Sequence, residues 1–149
     1  MIPDNVFCIY LEFLTCGSVA DTYKQAGPLG EALCRNYIAQ VLQATEYLHS
    51  LGVIHGDIKG SNILLCKDNN TVKLCDLGNS RILEHNKSFT SVKTVLNGSL
   101  AWMAPEAIHS EQGKRSDVWS IGCVLVEMLT GGSPWGTRYQ DLFGLTKAL

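Results

Sequence analysis

The 149 residues carry 12 Lys and Arg against 14 Asp and Glu, a net charge of −2, with 46% hydrophobic content. That length and apolar share suffice for one globular domain with a real core, and the scattered basic residues form no stripe of the kind that binds nucleic acid. The longest apolar run, residues 121–129, contains Glu127 and falls short of the ~20 residues of a membrane span.

The first residues show neither the basic start nor the small-residue cleavage site of a signal peptide, so the expected setting is cytoplasmic. Six cysteines, at 8, 16, 34, 66, 75 and 123, make no C-x-x-C pair. Four lie in apolar runs and are expected as reduced, packed thiols rather than zinc ligands.

In chain order, residues 6–12 are mostly apolar and aromatic, which predicts a buried strand broken by Leu14-Thr15-Cys16-Gly17. Residues 18–24 predict a short helix ended by Gly27-Pro28. Over 31–51, apolar residues recur at 33, 37, 41, 44, 48 and 51, one face of an amphipathic helix terminated by Gly52. Nothing chemical need lie on that helix, His49 included.

His55-Gly56-Asp57-Ile58-Lys59-Gly60-Ser61-Asn62 follows and runs into the apolar strand Ile63-Leu64-Leu65. A carboxylate, a lysine and an amide at this spacing suit the handling of a hydroxyl nucleophile beside a phosphate and a metal. Lys67-Asp68-Asn69-Asn70 reads as a hairpin turn into Val72-Lys73-Leu74-Cys75, and Asp76-Leu77-Gly78 comes next. Residues 98–106 end in Ala104-Pro105-Glu106. A helix capped by Ser116 or Asp117 runs to Thr130, stopped by Gly131-Gly132 and Pro134. Being apolar nearly all round, it is expected to be buried. Residues 139–149 begin another helix.

Four motifs in this order resemble a eukaryotic protein kinase: the catalytic loop H-R-D-x-x-x-x-N, the Asp-Phe-Gly turn, the Ala-Pro-Glu triplet and the helix opening with Asp117. Within that family, residues 58–62 and 102–106 look most like MAP kinase kinase kinases. The resemblance covers nearly the whole chain. It implies an α+β, kinase-like fold, mainly the helical C-lobe and incomplete at both ends. Residues 1–17 would be the last N-lobe strand and hinge, and 18–149 an incomplete C-lobe.

The same resemblance assigns roles. Asp57 would accept the substrate hydroxyl's proton, and Lys59, absent there in tyrosine kinases, would neutralise the transferring phosphoryl group. Asn62 and Asp76 would offer Mg²⁺ the oxygen ligands it prefers. Leu11 would be the gatekeeper, Glu12 and Leu14 the hinge positions meeting the adenine of ATP, and Leu64 the floor beneath it. On local grounds alone, the favoured reading of 6–17 is an ordinary core strand and loop. Ser99 would bridge the catalytic Asp and Lys, although an Asn-Gly-Ser turn accounts for it locally. Residues 102–106 would form a substrate wall, Glu106 would pair with a distant Arg, Asp117 would hold the loop's backbone, and His55 would be a packed structural histidine.

Two departures stand out. Leu77 replaces Phe and is expected to pack behind Asp76, with Gly78 giving the turn its freedom. Gly56 replaces the Arg that clamps an activation-segment phosphate. If Ser88, Thr90, Ser91 or Thr94 is phosphorylated, that clamp is missing. Either control does not depend on a phosphate, or the segment is weakly ordered.

No G-x-G-x-x-G occurs, and the strand lysine and helix glutamate that grip and orient the phosphates are also absent. Three readings follow. The chain is a truncated part of an ATP-dependent Ser/Thr kinase acting on a protein such as a MAP kinase kinase; or a catalytically dead binding module; or a nonfunctional fragment, sticky and marginal for want of its covering lobes.

Overall fold

The computed structural model describes residues 8–83, 89–91 (backbone only), 100–109 and 111–136. Within them the α+β architecture expected from the motifs is present: two long helices, two shorter ones and three two-stranded antiparallel sheets.

Helix α1 (Val19–Ala26) starts where Ser18 and Asp21 satisfy each other's backbone amides in a capping box, and ends at Gly27 with φ +81°. The Ser18 hydroxyl and amide hold the Asp21 carboxyl below its usual range. Helix α2 (Glu31–Ser50) buries Cys34, Tyr37, Val41 and Thr45. The buried stripe is therefore shifted from the apolar pattern: Leu51 is 58% exposed, while polar Thr45 goes inward. Thr45 can do so because its hydroxyl donates to the Val41 carbonyl at 2.8 Å.

Strands β1 (Val53–Ile54) and β4 (Arg81–Ile82) pair in register Val53↔Ile82. Strands β2 (Ile63–Leu65) and β3 (Val72–Leu74) form the expected hairpin, Ile63 facing Leu74. Its turn is held by Asp68, whose side chain accepts from the amides of Asn70 and Thr71, with Asn69 at φ +52°. Strand β5 (Phe89–Ser91) pairs with β6 (Glu111–Gly113) in register Thr90↔Gln112. Helix α3 (Pro105–Ile108) places Pro at its first position, where a missing N–H costs nothing.

Helix α4 (Lys114–Thr130) corrects two expectations. It begins before Ser116, at an N-cap of Gly113 whose amide donates to Ser116 Oγ. It is not buried all round: Val118, Val126 and Leu129 are exposed. The inward face instead carries Asp117, Ser120 and Glu127 among Ile121, Val124 and Met128. Those polar groups are accommodated because each has partners in the loops packed against the helix. Gly131 closes the helix at φ +73°.

The predicted strand over 6–12 is a third correction. Residues 8–12 have no regular structure, and Leu11 is 83% exposed. A strand is stabilised by its neighbours, and no described strand runs alongside this one. Only Cys34 and Cys123 of the six cysteines are buried, and burial pushes the Cys123 thiol up to about 11. No described helix is long and apolar enough to cross a membrane.

The core joins α1, α2, α4 and the hairpin. Ile58 and Ile63, on either side of the polar loop, are both 1% exposed within it. At roughly 1.5–3 kcal/mol per buried side chain of this size, the two anchors pin the intervening residues to the core.

Candidate active site

Three backbone facts shape the loop after β1. Asp117, 1% exposed, accepts from the His55 amide at 3.0 Å on Oδ2 and from the Gly56 amide at 2.9 Å on Oδ1. His49 Nε2 meets Oδ2 at 2.7 Å, so α2 and α4 jointly hold the loop's first turn. His55 is fully buried; its Nδ1 accepts from the Asp57 amide at 3.2 Å, which leaves Nε2 as the donor to the Cys75 carbonyl at 3.1 Å. A neutral imidazole thus links the backbone of Asp57 to the residue before Asp76. The Cys75 amide in turn donates to the Asn62 carbonyl at 2.9 Å.

The Asp57 carboxylate is nearly buried. Three donors converge on its Oδ2: Lys59 Nζ at 2.9 Å, Asn79 Nδ2 at 3.2 Å and Asn62 Nδ2 at 3.3 Å. No donor among the described residues reaches Oδ1. Asn62 Nδ2 also bonds the Asp57 carbonyl at 2.9 Å, which turns its amide oxygen away from Asp57 with no hydrogen bond among the described residues. Asp76 is exposed and sits at φ +66°. A left-handed Asp is uncommon, and such outliers concentrate at functional sites.

Its carboxylate accepts from the Gly78 amide at 3.1 Å. Gly78 itself has no positive φ, so the conformational freedom expected of it belongs to Asp76. A side chain at Gly78 would instead crowd Asp76 Oδ1 at 3.0 Å. Leu77 is 54% exposed and does not pack behind Asp76, because the 3₁₀ turn of Leu77–Asn79 carries it outward.

The donor set suits a hard divalent cation: the Asn62 amide oxygen and the Asp76 carboxylate are oxygen ligands of the kind Mg²⁺ takes. A small cleft, open to solvent, lies between Gly56, Asp57 and Ile58 on one side and Trp102, Met103 and Ala104 on the other.

Comparison with known sequences decides the family. Residues 2–146 match the protein kinase domain. This chain belongs to the protein kinase family. Among curated relatives, the kinase is 43% identical over 146 residues, 97% of its length, to mouse mitogen-activated protein kinase kinase kinase 3. It is 37% identical over 140 residues, 93% of its length, to Arabidopsis thaliana mitogen-activated protein kinase kinase kinase ANP1. It is 42% identical over 142 residues, 92% of its length, to the MAP kinase kinase kinase mkh1 of Schizosaccharomyces pombe. The chain spans 23%, 21% and 12% of these three proteins respectively.

Parts of the stretch expected to form a hinge lie against the β2–β3 hairpin. Glu12 Oε2 pairs with Lys73 Nζ at 2.6 Å, the Leu65 amide donates to the Gly17 carbonyl at 2.9 Å, and Ser18 bridges Leu64. Leu64 points away from the core that takes Ile63 and Leu65, and is half-buried on the same face as Lys73. Leu11 is exposed and Leu14 half-buried. Ser99, Ser88 and Thr94, the side chains of Thr90 and Ser91, and the helix expected at 139–149 all lie outside the described residues. Glu106, expected to pair with an Arg in a part of the domain outside these residues, accepts from Ser116 Oγ at 3.0 Å.

Sequence reading missed Glu127. It is 2% exposed and accepts from the Tyr23 hydroxyl, from Trp102 Nε1 at 2.6 Å and from the Gly60 amide at 3.3 Å. One carboxylate on α4 therefore ties α1, the loop at Gly60 and the turn at Trp102 together. Burial raises its pKa against the pull of those three donors, and burial together with Glu127 raises that of Tyr23. The signal available in the sequence was a Glu inside an apolar helix.

Proposed function

We propose that the kinase containing these residues transfers the γ-phosphoryl group of ATP to a Ser or Thr hydroxyl of a protein. We place it in a MAP kinase cascade in the cytoplasm, with a MAP kinase kinase as substrate. The observation that carries this reading is the Asp57 carboxylate: Oδ2 is held by Lys59, Asn62 and Asn79, while Oδ1 meets no donor among the described residues. Its orientation is fixed, so Oδ1 is the atom that accepts the substrate's hydroxyl proton as that oxygen bonds to the γ-phosphorus and the bond to ADP breaks. Positioning dominates such a step, because the transition state is loose and asks little base strength.

Lys59 keeps its ammonium beside Asp57 and can lean toward charge on the transferring group. Asn62 and Asp76 would hold Mg²⁺, which when bound neutralises phosphate charge. Leu64 would underlie the adenine, with Leu11, Glu12 and Leu14 along its edge, and Ser99 would bridge Asp57 and Lys59. The relatives' names support the cascade assignment, and Lys59 supports Ser/Thr over Tyr acceptors.

The 149 residues contain no G-x-G-x-x-G, so we expect them alone to hold Mg-ATP weakly and to turn over little. That feature also favours a second reading, a binding module. Incubation with γ-labelled ATP, Mg²⁺ and a Ser/Thr acceptor protein tests both. Transfer that falls ~10²–10⁴-fold in Asp57→Asn supports the kinase reading. Transfer unaffected by that change refutes the role of Asp57, and no transfer together with no calorimetric binding of Mg-ATP supports the module.

A further inference from the structure

We propose that Gln112 is a positioning residue that anchors the activation segment to the catalytic loop through a neutral hydrogen bond, in place of a cation gripping a phosphate. The inference rests on the phosphotransfer reading only in taking residues 55–62 as the catalytic loop and the stretch between Asp76 and Glu106 as the activation segment.

Gln112 is partly buried, and its Nε2 donates to the Gly56 carbonyl at 3.1 Å. It sits on β6 directly opposite Thr90 of β5. The side chain that touches the catalytic loop therefore belongs to the strand that pairs with the activation segment's backbone. Gly56 has φ +77°, and a Cβ built on it would lie 2.5 Å from Gln112 Nε2 and 2.8 Å from the Asn79 carbonyl oxygen. No side chain fits there unless both neighbours move, and an L-residue would be strained besides. Gly56 leaves the space and Gln112 occupies it.

Four parts of the chain meet at this point. The Gly56 amide is held by Asp117 of α4, and its carbonyl by Gln112 of β6. Asn79 touches it with a backbone carbonyl while its side chain donates to Asp57 Oδ2 at 3.2 Å. Order in the β5–β6 ladder is thereby relayed to the Asp57 carboxylate by contacts that need no added charge. A neutral bond is weaker than an arginine–phosphate pair, but it is always present. Of the two outcomes the sequence leaves open for a glycine at 56, the geometry selects order independent of phosphate.

Hydrogen exchange on the unphosphorylated 149-residue chain tests this, comparing Gln112→Leu, which keeps bulk but cannot donate, with Gln112→Lys, which can. In Gln112→Leu the amides of 55–57 and 89–91 are expected to exchange about three- to tenfold faster, the loss of one net hydrogen bond. Gln112→Lys stays within about twofold of the parent, and Gly56→Arg is at least as fast as Gln112→Leu. Unchanged exchange in Gln112→Leu overturns the proposal, and so does Gln112→Lys matching it or Gly56→Arg slowing exchange. The measurement needs neither nucleotide nor turnover, so its failure leaves the role of Asp57 standing, and failure of transfer leaves this anchor standing.

Discussion

Removing the Glu127 carboxylate probes how the loop, the wall and α1 are joined. In Glu127→Ala the Gly60 amide, Trp102 Nε1 and the Tyr23 hydroxyl all lose their acceptor. A buried donor left without a partner costs about 1–3 kcal/mol. Gly60 and Tyr23 are buried, whereas Trp102 is only half-buried and can recover water, so the total is about 3–5 kcal/mol. Glu127→Gln behaves differently. Its amide oxygen can face Trp102 and Gly60 while its NH₂ donates to the Tyr23 oxygen, so the loss is ~1 kcal/mol.

Urea denaturation separates the two: with a slope of about 2 kcal/mol per molar, the Ala variant's midpoint falls by ~2 M and the Gln variant's by ~0.5 M. Equal losses would show that charge, not the three donors, is what matters; negligible losses in both would refute the junction. The pH dependence has a definite sign. The folded pKa of Glu127 is raised from 4.5, so its contribution is fully present below the unfolded value and lost as pH rises through the folded one. The parent should weaken over that window relative to Glu127→Gln.

Asp117→Ala strands the His55 and Gly56 amides and the His49 ring. A loss of about 3–4 kcal/mol by the same reasoning is expected in urea denaturation, with faster amide exchange at 55–57. Asp76→Gly relieves a left-handed non-glycine, worth on the order of 1 kcal/mol but offset by glycine's greater freedom when unfolded. Its melting temperature should therefore stay within a few degrees of the parent, while calorimetry should find the Mg²⁺ enhancement of ATP binding lost. A melting point that drops sharply would make Asp76 structural.

What sequence made legible was local. The short helix α1 with its Gly27 stop, the β2–β3 hairpin with its Asp68 turn, and the spacing of Asp57, Lys59 and Asn62 are each written within a few residues. What escaped it depends on distant partners. Glu127 meets Tyr23 across the fold, His49 meets Asp117, and Gln112 meets Gly56; no local pattern announces any of these. The inward face of α4 was misread for the same reason, since Asp117, Ser120 and Glu127 are buried only because loops bring them donors and acceptors. Residues 8–12 carry strand-forming side chains, yet β structure needs a neighbour that no described strand supplies.

The most direct measurement places the cation. With Mn²⁺ substituted for Mg²⁺ and ATP added, paramagnetic broadening of amide signals locates the metal without requiring turnover. The Asn62 side-chain NH₂ and the Asp76 and Gly78 backbone amides are expected to broaden first, while Asn36 and Asn70, at the far end of the hairpin, stay sharp. Broadening centred on the Asp68 turn, with Asn62 and Asp76 untouched, would contradict it.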